Sequence, residues 1–241
     1  IESLADLKGK TIGVSSLASS EAITAKRALN AAGVDISADS GEVSFAVYST
    51  TDQPVALING AVDAISTPDP VATNAENEYG LKVLLDTAVT EPYASEYCCV
   101  SFVSAELAEK HPDIAAAFTR AVLKASAFVA QNPEEAAQIQ IDGEYVSGDA
   151  AANAEILKGY EYIPSVQGGY DALLNVATDL HNIGLLKEST DVSALVGRSF
   201  KFFDGVPDSY AVENGEFAEV AYESKSLSAT PETHKMSDCC G

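Results

Sequence analysis

The loop that follows the first apolar strand of the sequence is rich in hydroxyl side chains. Residues 11–14 predict this strand, and the pattern over residues 21–32 predicts a helix. Ligands of open α/β sheets bind beyond the carboxyl ends of strands, and the free N–H groups at a helix start attract anions. The loop at residues 15–20 combines both features, which suits a carboxylate, a sulfonate or a similar anion. It supplies the candidate ligand-binding residues Ser15, Ser16, Ser19 and Ser20.

An ordinary helix cap is the competing interpretation of this loop. Serine is a preferred N-cap residue, so a polar turn before a helix requires no ligand. The loop is not a phosphate-binding P-loop, because it lacks the glycines and the Gly-Lys-Ser/Thr ending of that motif. Ligand binding and plain capping therefore both stay open.

A second candidate site follows the strand predicted at residues 62–66. Thr67 and Asp69 stand there, and a proline opens the next helix. A cleft aspartate would suit an amine or another hydrogen-bond donor, but an aspartate before a helix also caps it, and one residue can do both. Because the chain has no tryptophan, stacking on a ligand would fall to Tyr48, Tyr93 or Tyr97.

The four cysteines form two adjacent pairs. Neighbouring cysteines rarely bridge each other, because that geometry is strained. The first pair falls in a strand predicted over residues 97–103, where alternation would bury one side chain and expose the other. Disulfides between the pairs and a soft-metal site stay open as alternatives. The candidate metal ligands are Cys98, Cys99, His234, Cys239 and Cys240.

Short strands alternate with helices in the first half of the chain. Strands are predicted at residues 11–14, 43–48, 62–66, 81–85 and 97–103, and this alternation favours a parallel or mixed sheet covered by helices. From residue 105 onward helix follows helix. The predicted fold class is therefore α/β.

Acidic residues outnumber basic residues by 36 to 14, which gives a formal net charge of −22. This charge argues against nucleic acid partners and against anionic lipid surfaces. No apolar run approaches the ~20 residues that cross a bilayer, so we expect no membrane insertion of this chain. Its first residues read as mature interior sequence, so we expect that an export leader either lies upstream or never existed.

Four segments in a fixed order carry a family resemblance. They are residues 3–14 (SLADLKGKTIGV), residues 56–64 (ALINGAVDA), residues 101–129 and residues 132–137 (NPEEAA). Their order and spacing resemble those of the solute-binding proteins of ABC importers for nitrate, sulfonates, taurine and thiamine precursors. The resemblance extends over residues 3–203.

The resemblance implies a type II periplasmic-binding-protein-like architecture, in which two α/β lobes close on a small molecule. Residues 4–94 would form the complete second lobe, with the ligand-binding wall. Residues 95–205 would supply a return strand and helices to the first lobe, whose N-terminal part would be absent from this chain. Residues 206–241 are predicted as an extended or partly disordered tail.

The implied function is the extracytoplasmic solute-binding component of an ABC importer. Its partners would be a membrane permease and a small polar or anionic ligand: a sulfonate, nitrate, taurine or a pyrimidine-like molecule. We expect no enzyme activity and no cofactor, and a periplasmic or cell-surface location, secreted or lipid-anchored through an upstream segment. Two alternatives remain: a thiamine-pyrimidine-synthase-like enzyme of the same fold, whose pyridoxal-phosphate lysine has no match here, and a cysteine-based metal-binding or redox module.

Overall fold

A three-stranded parallel sheet forms the centre of the first part of the protein. The computed structural model describes residues 1–37 and 39–221. Strand β1 (Lys10–Val14) lies between β2 (Val43–Val47) and β3 (Ala64–Ile65). The three strands predicted first along the chain are confirmed, and so is the α/β class.

Strand β1 is the buried strand of this sheet. Ile12 and Val14 are 3% and 0% exposed and pack in one cluster with Leu29 of the following helix. A Cβ atom on Gly13 would lie 3.2 Å from Cγ2 of Ile65, so the glycine permits close approach of β3. Burial of this strand fixes where the loops at its carboxyl end emerge.

Helices cover the sheet and make up most of the chain beyond it. Helix α5 begins at Pro112 and α6 at Pro133, since proline suits the first helical turn. Within the described ranges, no helix combines the length and the apolar character needed to span a membrane. The helices are α1 (Ser20–Ala31), α2 (Gln53–Ile58), α3 (Val71–Tyr79), α4 (Ala105–Lys110), α5 (Pro112–Gln131), α6 (Pro133–Asp142), α7 (Ala150–Lys158), α8 (Val166–Asn182) and α9 (Val192–Ser199).

Two of the predicted strands do not form. Residues 81–85 and residues 97–103 are irregular, although both are β-rich in composition. A strand needs a neighbour for its backbone hydrogen bonds, and the described sheet ends at β2 on one side and β3 on the other. The alternating burial expected for Cys98 and Cys99 is accordingly wrong, because both are exposed.

Part of the predicted tail is folded. Strands β4 (Ser209–Glu213) and β5 (Glu216–Val220) form an antiparallel hairpin. Tyr210 of this hairpin is 6% exposed and packs on Leu123 and Ala127 of α5. The tail from residue 222 lies outside the described residues.

A buried guanidinium joins the sheet-containing part to the helical part. Arg27 of α1 donates two hydrogen bonds of 2.7 Å to the Glu96 carboxylate, and it donates to Oδ2 of Asp179 on α8 at 2.9 and 2.6 Å. Its side chain is only 6% exposed, and the Tyr93 ring centroid lies 5.2 Å from its guanidinium carbon. Burial alone would lower the pKa of Arg27, but the bonds to Glu96 and Asp179 outweigh it and raise this pKa, so the group stays charged.

Replacing this arginine should destabilise the protein strongly. Arg27→Met leaves two partly buried carboxylates without their cation, and loss of one partner from a buried pair costs about 3 kcal/mol. Urea unfolding should show this loss. The matched control Lys110→Met removes the exposed pair with Glu106 and should cost under ~0.5 kcal/mol. Equal effects of the two substitutions would contradict the central role of Arg27.

Candidate functional site

The loops after β1 and β3 are joined by one buried carboxamide. Gln53, in the first turn of α2, is 0% exposed. Oriented to satisfy both neighbours, its oxygen accepts from the Ser15 backbone N–H at 3.0 Å and its nitrogen donates to the Ser66 carbonyl at 3.1 Å. The two predicted ligand-binding loops therefore lie side by side at the carboxyl edge of the sheet.

The serine loop directs its hydroxyls to a carboxylate of its own chain. Ser15 and Ser20 each donate a hydrogen bond to Glu21. Ser19 caps α1 by accepting from the Ala22 N–H, and Ser16 accepts from the Ala18 N–H. The structure thus shows Ser19 as a helix cap, while Ser15 and Ser20 donate hydrogen bonds to the Glu21 carboxylate.

Glu21 is held in its ionised form. Burial would raise its pKa, but hydrogen bonds from Ser15, from its own backbone N–H and from the other serines together lower it. A negative charge at a helix start is also favoured by the helix dipole. The position where an anionic ligand was expected therefore already holds a carboxylate of the protein.

One hydroxyl beside this loop has no hydrogen-bond partner among the described residues. Ser66 donates to the backbone oxygen of Glu21 at 2.9 Å, but the neighbouring Oγ1 of Thr67 is buried and makes no hydrogen bond with any described residue. A buried hydroxyl without a partner is costly. Thr67 is therefore the predicted site residue whose hydrogen-bonding capacity is unused.

Asp69 reaches from β3 toward the helical part. Its Oδ1 accepts from the backbone N–H and the hydroxyl of Thr73 in α3, at 3.0 and 2.8 Å. Its Oδ2 accepts from the Tyr160 hydroxyl at 2.5 Å. The bond from the Thr73 N–H is of the helix-capping kind expected of Asp69, and the role of this residue in ligand binding stays a prediction.

Two tyrosines form the opposite wall. Tyr160 and Tyr162 follow α7, and their rings meet edge-on with centroids 6.3 Å apart. Partial burial, followed by the Asp69 carboxylate, raises the pKa of Tyr160 far above its usual value. Tyr160 therefore remains a protonated donor at neutral pH.

Two cysteines form an exposed adjacent pair. The Sγ atoms of Cys98 and Cys99 lie 3.7 Å apart. Partial burial, then Cys99 and Glu21, raises the pKa of Cys98 to about 11. Burial and then the two cysteines raise the pKa of Tyr162. We use the name interlobe ring for the following set of residues: Glu21, Ser66, Thr67, Asp69, Tyr160, Tyr162, Cys98 and Cys99.

Other predicted site residues are engaged elsewhere. The Tyr97 hydroxyl donates to the Ile163 carbonyl, and its ring packs so closely on Gly168 that a Cβ there would lie 2.7 Å from it. Tyr48 follows β2, where its N–H donates to the Val14 carbonyl at 3.0 Å.

The metal-site alternative is only partly visible. The described residues contain no group of three or more His, Cys, Asp and Glu side chains placed to hold a metal ion. His234, Cys239 and Cys240 lie outside the described residues. Among the described residues, the candidate ligands Cys98 and Cys99 lie together.

Four members of the site were missed by sequence reasoning. Glu21 directly follows the serine loop, so the sequence could have indicated it as a hydrogen-bond partner for the serine hydroxyls. Gln53 precedes a proline, which marks a helix start but gives no sign of a buried bridge. Tyr160 and Tyr162 lie about ninety positions beyond Asp69 in the sequence, and no local pattern connects them to it.

A separate cavity of about 420 Å³ lies at the start of α8, away from the interlobe ring. It contains none of the predicted site residues, and Asp208 is the charged side chain in its wall. Its lining includes Val166, Gln167, Phe202, Phe203, Val206 and Asp208.

Comparison with known protein families identifies the family to which this chain belongs. The family model described as NMT1/THI5 like matches residues 1–136, more than half of the 241-residue chain. The chain belongs to the NMT1/THI5-like family. No curated protein matches the sequence.

A solved structure shows the same fold as this NMT1/THI5-like protein. It is the periplasmic aliphatic sulphonate binding protein SsuA from Escherichia coli, with a TM-score of 0.62 and 19% sequence identity. The match covers 93% of this chain and 67% of that chain. The fold is therefore of the periplasmic-binding-protein type, as the resemblance implied.

Removing the buried carboxamide should loosen the carboxyl edge of the sheet. Gln53→Leu leaves a buried N–H and a buried carbonyl unpaired, and each such loss costs about 1–3 kcal/mol. Chemical denaturation should show a loss of about 2–4 kcal/mol. Gln138→Leu, at an exposed helix position, is the control and should change stability by under ~0.5 kcal/mol. A neutral Gln53→Leu would contradict the bridge.

The charge on Glu21 predicts a pH-dependent contribution to stability. Its folded-state pKa lies below the ordinary 4.5, so the unfolded chain binds the proton more readily. The stabilisation is complete above the unfolded pKa and is lost as the pH falls through the folded pKa. Glu21→Gln should therefore destabilise the protein more at pH 7 than at pH 3, measured by urea unfolding. A penalty that is constant with pH would contradict the ionised assignment.

Proposed function

We propose that this NMT1/THI5-like protein is the extracytoplasmic solute-binding component of an ABC importer. It captures a small polar molecule between its two parts and presents it to a membrane permease. Residues 4–94 act as one lobe, and residues 95–205 contribute the facing wall. The family membership and the fold shared with a periplasmic binding protein support this proposal.

The interlobe ring is the observation that carries the proposal. At the carboxyl edge of the parallel sheet, Asp69 accepts a hydrogen bond from Tyr160 of the helical part, whose ring meets that of Tyr162. Sites at such an edge, between two parts of a protein, are the usual place for small ligands. The Tyr160–Asp69 hydrogen bond crosses between the parts, so a ligand that inserts there exchanges one bond for contacts on both walls.

The buried hydroxyl of Thr67 is the clearest candidate ligand contact. In the protein alone its Oγ1 is buried and unpaired among the described residues. A ligand group that bonds to it recovers the cost of that burial. The binding mechanism needs no covalent step, since contacts on both walls favour the closed arrangement of a hinged protein.

An enzyme of the thiamine-pyrimidine-synthase type is the second candidate. The observation that favours it is the adjacent pair Cys98 and Cys99 beside the ring. Purified protein with bound iron or with pyridoxal-phosphate absorbance would support this alternative. Purified protein with neither, together with reversible ligand binding, would support the transport proposal.

The binding proposal is tested by calorimetry and thermal-shift measurements on the whole chain. The screen contains sulfonates, nitrate, amino acids, pyrimidines and small amines. We expect one chemical class to raise the melting temperature and to bind with one-to-one stoichiometry. Binding of none of them would contradict the proposed function.

Replacing the unpaired hydroxyl should separate binding from stability. Thr67→Val keeps the side-chain shape and removes a buried group that has no protein partner, so stability should stay within ~0.5 kcal/mol or rise. Affinity for the ligand found in the screen should fall about fivefold, as expected for one lost hydrogen bond. Thr178→Val, on exposed α8 surface, is the control and should leave affinity unchanged. An equal affinity for wild type and Thr67→Val would exclude this contact.

A further inference from the structure

Helix α5 is apolar on two opposite faces. One face is buried and carries Ala115, Ala116, Leu123 and Ala127. Residues three, four, seven and eleven positions beyond Ile114 lie together on the other face, and all of them are exposed and apolar. We call this outer set the α5 stripe: Ile114, Ala117, Phe118, Ala121 and Ala125. A helix that is covered on one side only carries polar residues on its outer face, so the α5 stripe indicates a second partner.

The charged side chains of α5 lie beside the stripe. Asp113, Arg120 and Lys124 fall on one flank of the helix by its periodicity. Arg120 donates to the Gly205 carbonyl at 3.2 Å, and Nζ of Lys124 lies 5.0 Å from the Tyr210 ring centroid. Both cations are therefore directed to the loop and hairpin near the end of the described chain, and neither covers the stripe.

Residues 98–103 are β-rich in composition and lack a pairing strand. Their backbone groups make no backbone–backbone hydrogen bond with any described residue. Two of their side chains are large, apolar and exposed: Val100 by 46% and Phe102 by 88%. An unpaired apolar segment of this kind is a template for a strand of another polypeptide.

An aromatic cluster continues this edge onto α8. Cγ1 of Val100 and Cε2 of Phe200 lie 4.0 and 3.8 Å from the point where a Cβ atom on Gly169 would stand. The Phe200 ring meets those of Phe202 and Tyr170, with centroids 5.2 and 5.5 Å away. Phe202 is 53% exposed. Val100 and Phe202 therefore belong to one apolar surface beside α8.

The α5 stripe and residues 98–103 are neighbours at the start of α8. Val166, in the first turn of α8, packs with Leu123 and Ala127 of α5. Gly169, three residues later, lies beside Val100. A partner that pairs with residues 98–103 therefore also comes close to α5.

The fold comparison indicates what covers this surface. The structure shared with SsuA spans 93% of this chain but 67% of that chain, so about a third of that fold has no counterpart in these residues. A net charge of −22 on each copy opposes a second copy as the partner. Residues 222–241 contain two large aliphatic side chains, Leu227 and Met236, which are too few to cover both features.

We propose that the α5 stripe and residues 98–103 dock an α/β polypeptide segment outside these 241 residues. The segment adds a strand along residues 98–103 and packs apolar side chains on the α5 stripe. Pairing gives the edge its backbone hydrogen bonds, and docking removes Phe102, Ile114 and Phe118 from water. This assembly does not depend on which solute the protein binds. The segment is continuous with this chain or carried on another polypeptide, and the experiment distinguishes the two.

Unfolding of the 241-residue chain alone tests whether the surface is free. Phe102→Glu and Phe118→Glu place a charge where no described residue covers the side chain, so the urea midpoint should match that of wild type. Leu123→Glu, on the buried face of α5, is the matched control and should lower the midpoint or abolish folding. A midpoint lowered by Phe118→Glu as much as by Leu123→Glu would overturn the proposal, because the stripe would already be covered within the chain.

Photo-crosslinking in the source cell identifies the occupant. p-Benzoylphenylalanine replaces Phe118 in the complete gene, and the control carries it in place of Gln138, an exposed position on α6. We expect the probe at position 118 to crosslink to polypeptide outside residues 1–241, and the probe at position 138 not to do so. Peptide mapping of the product shows whether that polypeptide is continuous with this chain.

Amide hydrogen exchange separates a pairing strand from incidental capture. In the purified assembly, the amides of residues 98–103 should exchange at least about tenfold more slowly than in the 241-residue chain, because paired amides are protected. Phe102→Glu should remove this protection. A crosslink to a second copy or within residues 1–241, the absence of a crosslink, or unchanged exchange of residues 98–103 would each overturn the proposal.

Discussion

The facing arrangement of the two parts of the protein depends on the guanidinium of Arg27. This group holds Glu96 and Asp179 together although the carboxylates would otherwise repel each other. Arg27 follows Glu21 by six positions on α1, a rise of about 9 Å along the helix. The same helix therefore carries Glu21 in its first turn and is fastened to α8 further along.

Two buried polar side chains at the edge of the sheet show how support and function differ. Gln53 satisfies a donor on one loop and an acceptor on the other, so it stabilises the wall and has little capacity left for a ligand. Thr67 lies next in the chain to one of those loops and leaves its hydroxyl unpaired among the described residues. Proteins tolerate such a cost at places where a ligand supplies the missing bond. Gln53, which stabilises the wall, and Thr67, whose buried hydroxyl is energetically costly, therefore lie at the same edge of the sheet.

The strand and helix pattern of the first half could be predicted because it depends on local rules. Buried β1 reads as a short apolar run, Ser19 caps α1, and proline marks the start of α5 and α6. The strand predicted at residues 97–103 failed because its composition cannot show whether a neighbour is present. The serine loop was predicted from local rules, but the groups that Ser15 and Ser20 bind depend on Glu21. The tyrosines of the opposite wall are distant from Asp69 in the sequence. Only the tertiary fold brings Tyr160 to Asp69.

Membership of the NMT1/THI5-like family and the periplasmic-binding-protein fold restrict the kind of function but leave the solute unspecified. The most direct test is a crystal structure of the protein with its tightest-binding solute. The account predicts density for that solute inside the interlobe ring, in contact with Thr67 and with at least one of Glu21 and Asp69. Density in the separate cavity at the start of α8, with the ring unchanged, would contradict it.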